Sequence, residues 1–200
     1  MKKLIIVTAS LALLAGCAQR DESVGASGSG ESAAAGVAGV TETGEPLSQL
    51  AAADAKFVET AAQSGMMEVR MGQLISEAAS SQPLREFGDR LVKDHTKANQ
   101  ELTQIASRKG FTVPTQTAAK HEEMLDGLSK LKGAEFERVV QKHAVEHHQE
   151  DIQLYEKASQ TLQDAELKVF AAKTLGVLKE HLALAKGLET GSTTETAPTP

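Results

Sequence analysis

The sequence predicts an all-α protein built on a four-helix bundle, and three observations support this fold class. Aromatic residues make up 3% of the 200 residues, so the core is aliphatic, and Ala and Leu are strong helix formers. Apolar and small residues recur at three- and four-residue steps over about 140 residues, from about position 50 to about position 189. No stretch alternates with a period of two for long enough to predict a sheet.

The first two helices are expected on either side of the Ser80-Ser81-Gln82-Pro83 run. Pro83 suits the first turn of the second helix, because its missing N–H has no partner there in any helix. Gly110 is well placed to end the second helix. The stripes predicted to be buried are Phe57, Ala61, Gly65, Gly72, Ile75 and Ala79 on the first helix, and Leu84, Phe87, Leu91, Ala98, Leu102 and Ile105 on the second.

A long connection then separates the second helix from the third. It contains Pro114 and a short helical stretch with Met124, Leu125, Leu128 and Leu131. The third long helix follows Gly133, and Gln163-Asp164 makes a tight corner before the fourth. The predicted stripes are Phe136, Val139, Val140, Ala144, Tyr155, Ala158 and Leu162 on the third helix, and Leu167, Phe170, Ala171, Leu175, Leu178, Leu182, Ala185 and Leu188 on the fourth. Four helices with one apolar face each pack as a bundle.

Ionisable residues interrupt the middle of each stripe, and three of the four helices have a single one. These residues are Glu68 on the first helix, His95 on the second and His181 on the fourth. Gly65 and Gly72 flank Glu68 and are expected to leave open volume beside it.

The third helix offers more than one such residue. A rotation of about 100° per residue puts His147 near the centre of the stripe, His148 at its edge and Asp151 on the inward side. Periodicity favours His147 over His148 as the inward histidine but does not decide between them.

These side chains are predicted to lie at one height along the bundle, because each is about 13 to 18 residues from a helix corner. One carboxylate and three imidazoles form a ligand set that suits one divalent transition metal ion, such as zinc or iron. The alternative is a metal-free polar cluster in which Glu68 pairs with a protonated histidine. His121 is expected at the surface.

The sequence offers little for catalysis, and no catalytic residue is assigned. Di-iron carboxylate bundles use Glu-x-x-His on two helices, and no histidine here has an acid three residues before it. A single cysteine excludes sites built from several Cys ligands. The net charge of −6 argues against nucleic acid as a partner.

The N-terminus reads as a bacterial lipoprotein signal. Residues 1–16 combine Lys2-Lys3 with a short apolar run, and Leu14-Ala15-Gly16-Cys17 resembles the lipobox, in which the cysteine is acylated. We expect a flexible lipidated tether over 17–49, a helical domain over 50–189 and a disordered tail over 190–200. The acylated Cys17 is the expected contact with the membrane. Ala18 directly follows this cysteine. A residue of this kind at this position resembles the lipoproteins that two-membrane bacteria sort to the periplasmic face of the outer membrane.

The helical part contains several characteristic motifs, which are Phe57-Val58, the stretch from Gly65 to Val69, Leu91 to Asn99, His148 with Asp151-Ile152 and Leu154 to Glu156, and Leu178 with Glu180-His181-Leu182. With these motifs it resembles the exported bacterial family called domain of unknown function 4142, which is assigned to the ferritin-like superfamily. The resemblance implies a ferritin-like bundle and favours His148 as the inward histidine of the third helix, so that the implied site is Glu68, His95, His148 and His181, ahead of His147 and Asp151. It implies no activity.

These observations predict a lipid-anchored cell-envelope protein whose bundle has a binding or stress-related role and could hold one metal ion in a Glu/His cluster. A metal-dependent oxidoreductase of ferritin-like type is the alternative from another class. A metal-free interaction module with an acidic surface is the third hypothesis. The sequence identifies no protein partner.

Overall fold

The computed structural model describes residues 48 to 191, which form five α-helices and no strand. The helices are α1 (Ala52–Ala78), α2 (Gln82–Arg108), α3 (Ala119–Lys130), α4 (Gly133–Thr161) and α5 (Ala165–Gly191). The all-helical prediction is confirmed. The proposed signal and Cys17, like nearly all of the proposed tether and tail, lie outside the described residues. Within residues 48 to 191, no helix combines the length and the apolar character that a membrane span requires.

The four long helices form two pairs. α1 packs along α2 and α4 packs along α5, and the pairs meet where α2 contacts α5 and α1 contacts α4. Pro83 lies in the first turn of α2, as expected. The long connection between α2 and α4 carries the short helix α3, which lies against α1 and α4. The expected short helical stretch is therefore confirmed.

The apolar core consists of two clusters. One is formed by the beginnings of α1 and α5 and the ends of α2 and α4, around Phe57, Tyr155 and Phe170. The other surrounds Met71 and Phe136 towards the opposite ends of these helices. On α2, α4 and α5, buried histidines lie between the segments that contribute to the two clusters.

A buried carboxylate fixes the corner between α4 and α5. Asp54, only 1% exposed, accepts hydrogen bonds from the backbone N–H groups of Gln163 and Asp164. Asp164 then caps α5 by accepting from the backbone N–H groups of Glu166 and Leu167. The first turn of α1 is thereby joined to a corner more than a hundred residues further along the chain.

The glycines of α1 do not leave open volume, which corrects the expectation from the sequence. A Cβ atom at Gly72 would lie 2.7 Å from the carbonyl oxygen of Gly88 on α2, and a Cβ at Gly88 would lie equally close to that of Gly72. A Cβ at Gly65 would meet the side chain of Asn99. Glycine is needed here because the two helix backbones are in direct contact.

Candidate metal centre

Three histidines from three helices meet in the interior. His95 on α2, His148 on α4 and His181 on α5 each offer a ring nitrogen, and these nitrogens all lie within 4.8 Å of one another. His148 and His181 are fully buried and His95 is 5% exposed. The ring of Phe87 lies 6.4 Å from the rings of both His148 and His181 and forms an apolar wall. We call these three residues the histidine cluster.

Hydrogen bonds to groups outside the cluster fix the tautomers of His148 and His181. Nδ1 of His148 donates to the carbonyl oxygen of Ala144 at 2.8 Å. Nε2 of His181 donates to the Asp94 carboxylate at 3.0 Å. In neutral rings, the nitrogen opposite a protonated one carries a lone pair. Nε2 of His148 and Nδ1 of His181 therefore present lone pairs to the cluster.

These two lone-pair nitrogens are 3.3 Å apart, and Nε2 of His95 is buried without a hydrogen-bond partner. Two acceptors cannot hydrogen-bond to each other, so the arrangement needs a cation or a shared proton between them. Imidazole nitrogens about 2.0 to 2.1 Å from a tetrahedral zinc ion are about 3.3 to 3.4 Å apart. The separation of His148 and His181 thus fits a tetrahedral ion.

Burial keeps the cluster neutral. It lowers the pKa of His148 to about 4 and lowers the pKa of His95 well below its usual value, and the neighbouring imidazoles act in the same direction. Burial also lowers the pKa of His181, although the Asp94 carboxylate opposes this. Neutral imidazole is the form that binds metal ions. The three imidazoles are therefore held in the form that can donate a lone pair to a metal ion.

Glu68 is fully buried beside the cluster but does not join it. Its Oε1 lies 3.7 Å from Nδ1 of His148, the nitrogen that points away from His181, and neither carboxyl oxygen has a hydrogen-bond partner. Burial, with the Asp151 carboxyl next in importance, raises the pKa of Glu68 well above its ordinary value. Glu68 therefore lies beside His148 and is not one of the three converging groups.

Sequence reasoning missed the role of Asp94. Its neighbour His95 points inward, and Asp94 lies about 100° further round the helix, where its carboxylate reaches His181 on α5. Metal-binding histidines commonly donate their second N–H to a carboxylate, which fixes the tautomer and raises the basicity of the ligand nitrogen. His95 is thus a candidate ligand, and Asp94 is the hydrogen-bond partner of a second candidate ligand, His181.

Asp151 is buried, as the sequence indicated, but it lies apart from the cluster. Both of its carboxyl oxygens lie within 2.9 Å of the Ser64 hydroxyl on α1, which donates to them. Burial raises the pKa of Asp151 to about 6, and the Ser64 hydrogen bond partly opposes this shift. The residue links α4 to α1 beside Glu68.

His147, favoured by periodicity, points away from the histidine cluster. Its ring lies 5.8 Å from that of His121 on α3 and 6.2 Å from that of His143. His121 is 6% exposed, so the expectation that it lies at the surface is wrong. The sequence did not show that α3 covers this part of α1 and α4. The inward histidine of α4 is His148.

The sequence matches the profile of a known protein family. The profile described as Domain of unknown function (DUF4142) matches residues 41–188. The chain belongs to this family. No curated protein matches the sequence significantly.

The DUF4142 domain is also similar to a solved structure, the crystal structure of a DUF305 fragment from Deinococcus radiodurans. The TM-score is 0.62 at 14% sequence identity, and the match covers 70% of this chain and 96% of the fragment. At this identity the similarity extends to the fold alone.

Proposed function

We propose that this DUF4142 domain is a ferritin-like four-helix bundle that binds one divalent transition metal ion through His95, His148 and His181. The observation that carries the proposal is the pair of lone-pair nitrogens 3.3 Å apart on His148 and His181. A tetrahedral ion such as Zn²⁺ fits this separation, and Fe²⁺ remains compatible with imidazole ligands.

Two further contacts support the proposal. Nε2 of His95 is a buried nitrogen without a partner, which a metal ion would satisfy. Asp94 and the carbonyl of Ala144 hold His181 and His148 in tautomers that direct a lone pair inward. The absence of any Glu-x-x-His motif in the sequence favours one ion over a di-iron centre.

Metal content tests this function. The full chain, purified without a polyhistidine tag and incubated with Zn²⁺, should retain one ion per chain after gel filtration. A double variant His95→Ala, His181→Ala should retain none. The matched control is His143→Ala, His147→Ala, which also removes two imidazoles but leaves the cluster intact. Substoichiometric metal that is the same in all three proteins would refute the proposal.

We propose further that the domain is a lipid-anchored protein of the bacterial cell envelope, attached through an acylated Cys17. The support is the sequence pattern from Lys2 to Cys17 and the position of Cys17 as the single cysteine. Ala18 supports the periplasmic face of the outer membrane as its location in a two-membrane bacterium. The metal site would then lie in the envelope.

The lipid anchor has its own test. In cells fed a radiolabelled fatty acid, the wild-type chain should be labelled and should sediment with membranes. A Cys17→Ser variant should be unlabelled. An unlabelled wild-type chain would contradict the anchor and would leave the metal site unaffected.

A further inference from the structure

A cleft borders the histidine cluster on one side. It has a volume of about 110 Å³ and lies between α2 and α5, and two of its lining residues are His95 and His181. His148 does not line this cleft. An approaching molecule would therefore meet His95 and His181 first, with His148 behind them.

The cleft leads from the surface to the interior. Lys97 and Lys173 at its rim are exposed, whereas Thr174 is 8% and Leu178 only 1% exposed. Its volume is enough for a few water molecules, because each occupies about 30 Å³ in the liquid. A ligand that fits has only a few non-hydrogen atoms.

The ligand count leaves a position to fill. Three histidines converge, whereas zinc takes four ligands, and catalytic zinc sites use three protein ligands with the fourth position open. Among residues 48 to 191, no carboxylate oxygen joins the three ring nitrogens in the cluster. Glu68 lies beside Nδ1 of His148, whereas the nitrogen that His148 directs at His181 is Nε2.

Charge indicates what kind of ligand enters. Three neutral imidazoles leave the double positive charge of an ion without compensation among its direct ligands. Lys173 at the rim is paired with Glu101 at 2.6 Å, and no ion pair of Lys97 is found among the described residues. The cleft is also lined by the carboxylates of Asp94 and Glu101, but Asp94 is paired with Arg90 and Glu101 with Lys173. An anion therefore gains attraction both from the ion and from Lys97.

We propose that a small anion of a few atoms enters through the cleft between α2 and α5 and completes the coordination of the metal ion. This inference rests on the proposed metal-binding function. It implies that the site is an open, ligand-exchanging centre rather than a closed structural one.

Cobalt-loaded protein provides the test, because the visible absorption of Co²⁺ changes when a ligand is exchanged. The full chain is first loaded with Co²⁺ and its stoichiometry measured, and it is then titrated with sodium azide. A saturable spectral change is expected. A chain that binds no Co²⁺ would refute the metal site before azide is added, and the anion site with it.

Two variants connect the spectral change to the cleft. Val177→Phe adds an aromatic ring to the lining and should reduce azide affinity at least tenfold while Co²⁺ stoichiometry stays the same. Val169→Phe makes the same change on the same helix at a position that is 68% exposed, and should leave azide affinity unchanged. Lys97→Glu, which leaves the core untouched, should weaken azide binding about two- to threefold at low salt. Lys132→Glu is its control.

Two results would overturn the anion site and leave metal binding standing. In the first, azide does not alter the Co²⁺ spectrum of the wild type but does alter that of Glu68→Gln, which would show that Glu68 moves to become the fourth ligand. In the second, neither Val177→Phe nor Lys97→Glu changes the azide affinity, which would show that the anion does not use this cleft.

Discussion

Nε2 of His148 and Nδ1 of His181 face each other at 3.3 Å, and the other nitrogen of each ring already donates a hydrogen bond. Neither facing nitrogen has a proton to offer in a neutral ring, and burial lowers the pKa of both side chains. Such a pair is unfavourable without a cation between the rings. This relationship between α4 and α5 is the basis of the metal-binding account.

The Asp94 carboxylate should tune metal affinity without touching the ion. Asp94→Ala removes the acceptor that orients His181, and we expect Zn²⁺ affinity to fall about 10- to 100-fold. Asp94→Asn retains an oxygen acceptor, so its Zn²⁺ affinity should fall by less. Calorimetric titration with Zn²⁺ measures both values. Asp126→Ala, an exposed change on α3, should bind Zn²⁺ like the wild type, and equal affinities in all four proteins would contradict the role of Asp94.

The metal-free protein should lose stability on acidification. An unfolded histidine titrates near pH 6.5, whereas burial lowers the pKa of His148 to about 4. Between these values the unfolded chain binds a proton that the folded chain excludes, so stability falls as the pH drops from about 6.5 towards about 4. Burial lowers the pKa of His95, His121, His147 and His181 as well.

Two buried carboxyls oppose this effect. Burial raises the pKa of Asp151 to about 6 and that of Glu68 well above its usual value. For Asp151 the folded state binds the extra proton between about pH 4 and 6, so its contribution to stability rises on acidification. Five histidines lower the stability on acidification and only two carboxyls raise it. The urea concentration at the midpoint of unfolding should therefore be lower at pH 5 than at pH 7. The fall should be steeper in Asp151→Asn, and a flat midpoint in both proteins would contradict the buried neutral cluster.

The contact between α1 and α2 should not tolerate a methyl group. Gly72→Ala places a Cβ 2.7 Å from the Gly88 carbonyl oxygen, so the helices must separate, and we expect a loss of roughly 1 to 3 kcal/mol in the free energy of unfolding. Gly176→Ala is the matched control, because nothing lies within 4 Å of its Cβ position on α5. That variant should gain about 0.5 to 1 kcal/mol. Urea denaturation measures both, and equal effects would contradict the close contact.

The Asp54 carboxylate should stabilise the corner between α4 and α5. Asp54→Ala leaves the N–H groups of Gln163 and Asp164 without their acceptor, and we expect a loss of about 2 kcal/mol in the free energy of unfolding. Asp54→Asn retains one oxygen acceptor and should lose less. Thermal unfolding compares them with the surface variant Asp126→Ala. If Asp54→Ala unfolded at the same temperature as that variant, the corner would not depend on this carboxylate.

Much of the fold could be predicted from the sequence because helical periodicity records which face is buried. Phe57, Ile75 and Leu91 are buried as their spacing indicated. Pro83 and the Gln163-Asp164 corner mark real helix boundaries. These features are local, so they need no knowledge of a distant partner.

The candidate site was less predictable because it depends on helix phase and on contacts between distant helices. Phe136, Val140, Ala144 and His148 succeed one another at four-residue steps, which drift about 40° per step, so an average period of 3.6 cannot separate His147 from His148. Periodicity placed Glu68 at the right height but could not show that it lies beyond His148. The burial of His121 depends on the position of α3, which local patterns do not specify.

Metal binding by the histidine cluster is tested most directly by an anomalous difference map from crystals of the full chain grown with Zn²⁺, recorded at the zinc absorption edge. We expect one dominant peak within about 2.0 to 2.1 Å of nitrogens of His95, His148 and His181. No peak there, or a dominant peak beside His143 and His147 instead, would contradict it.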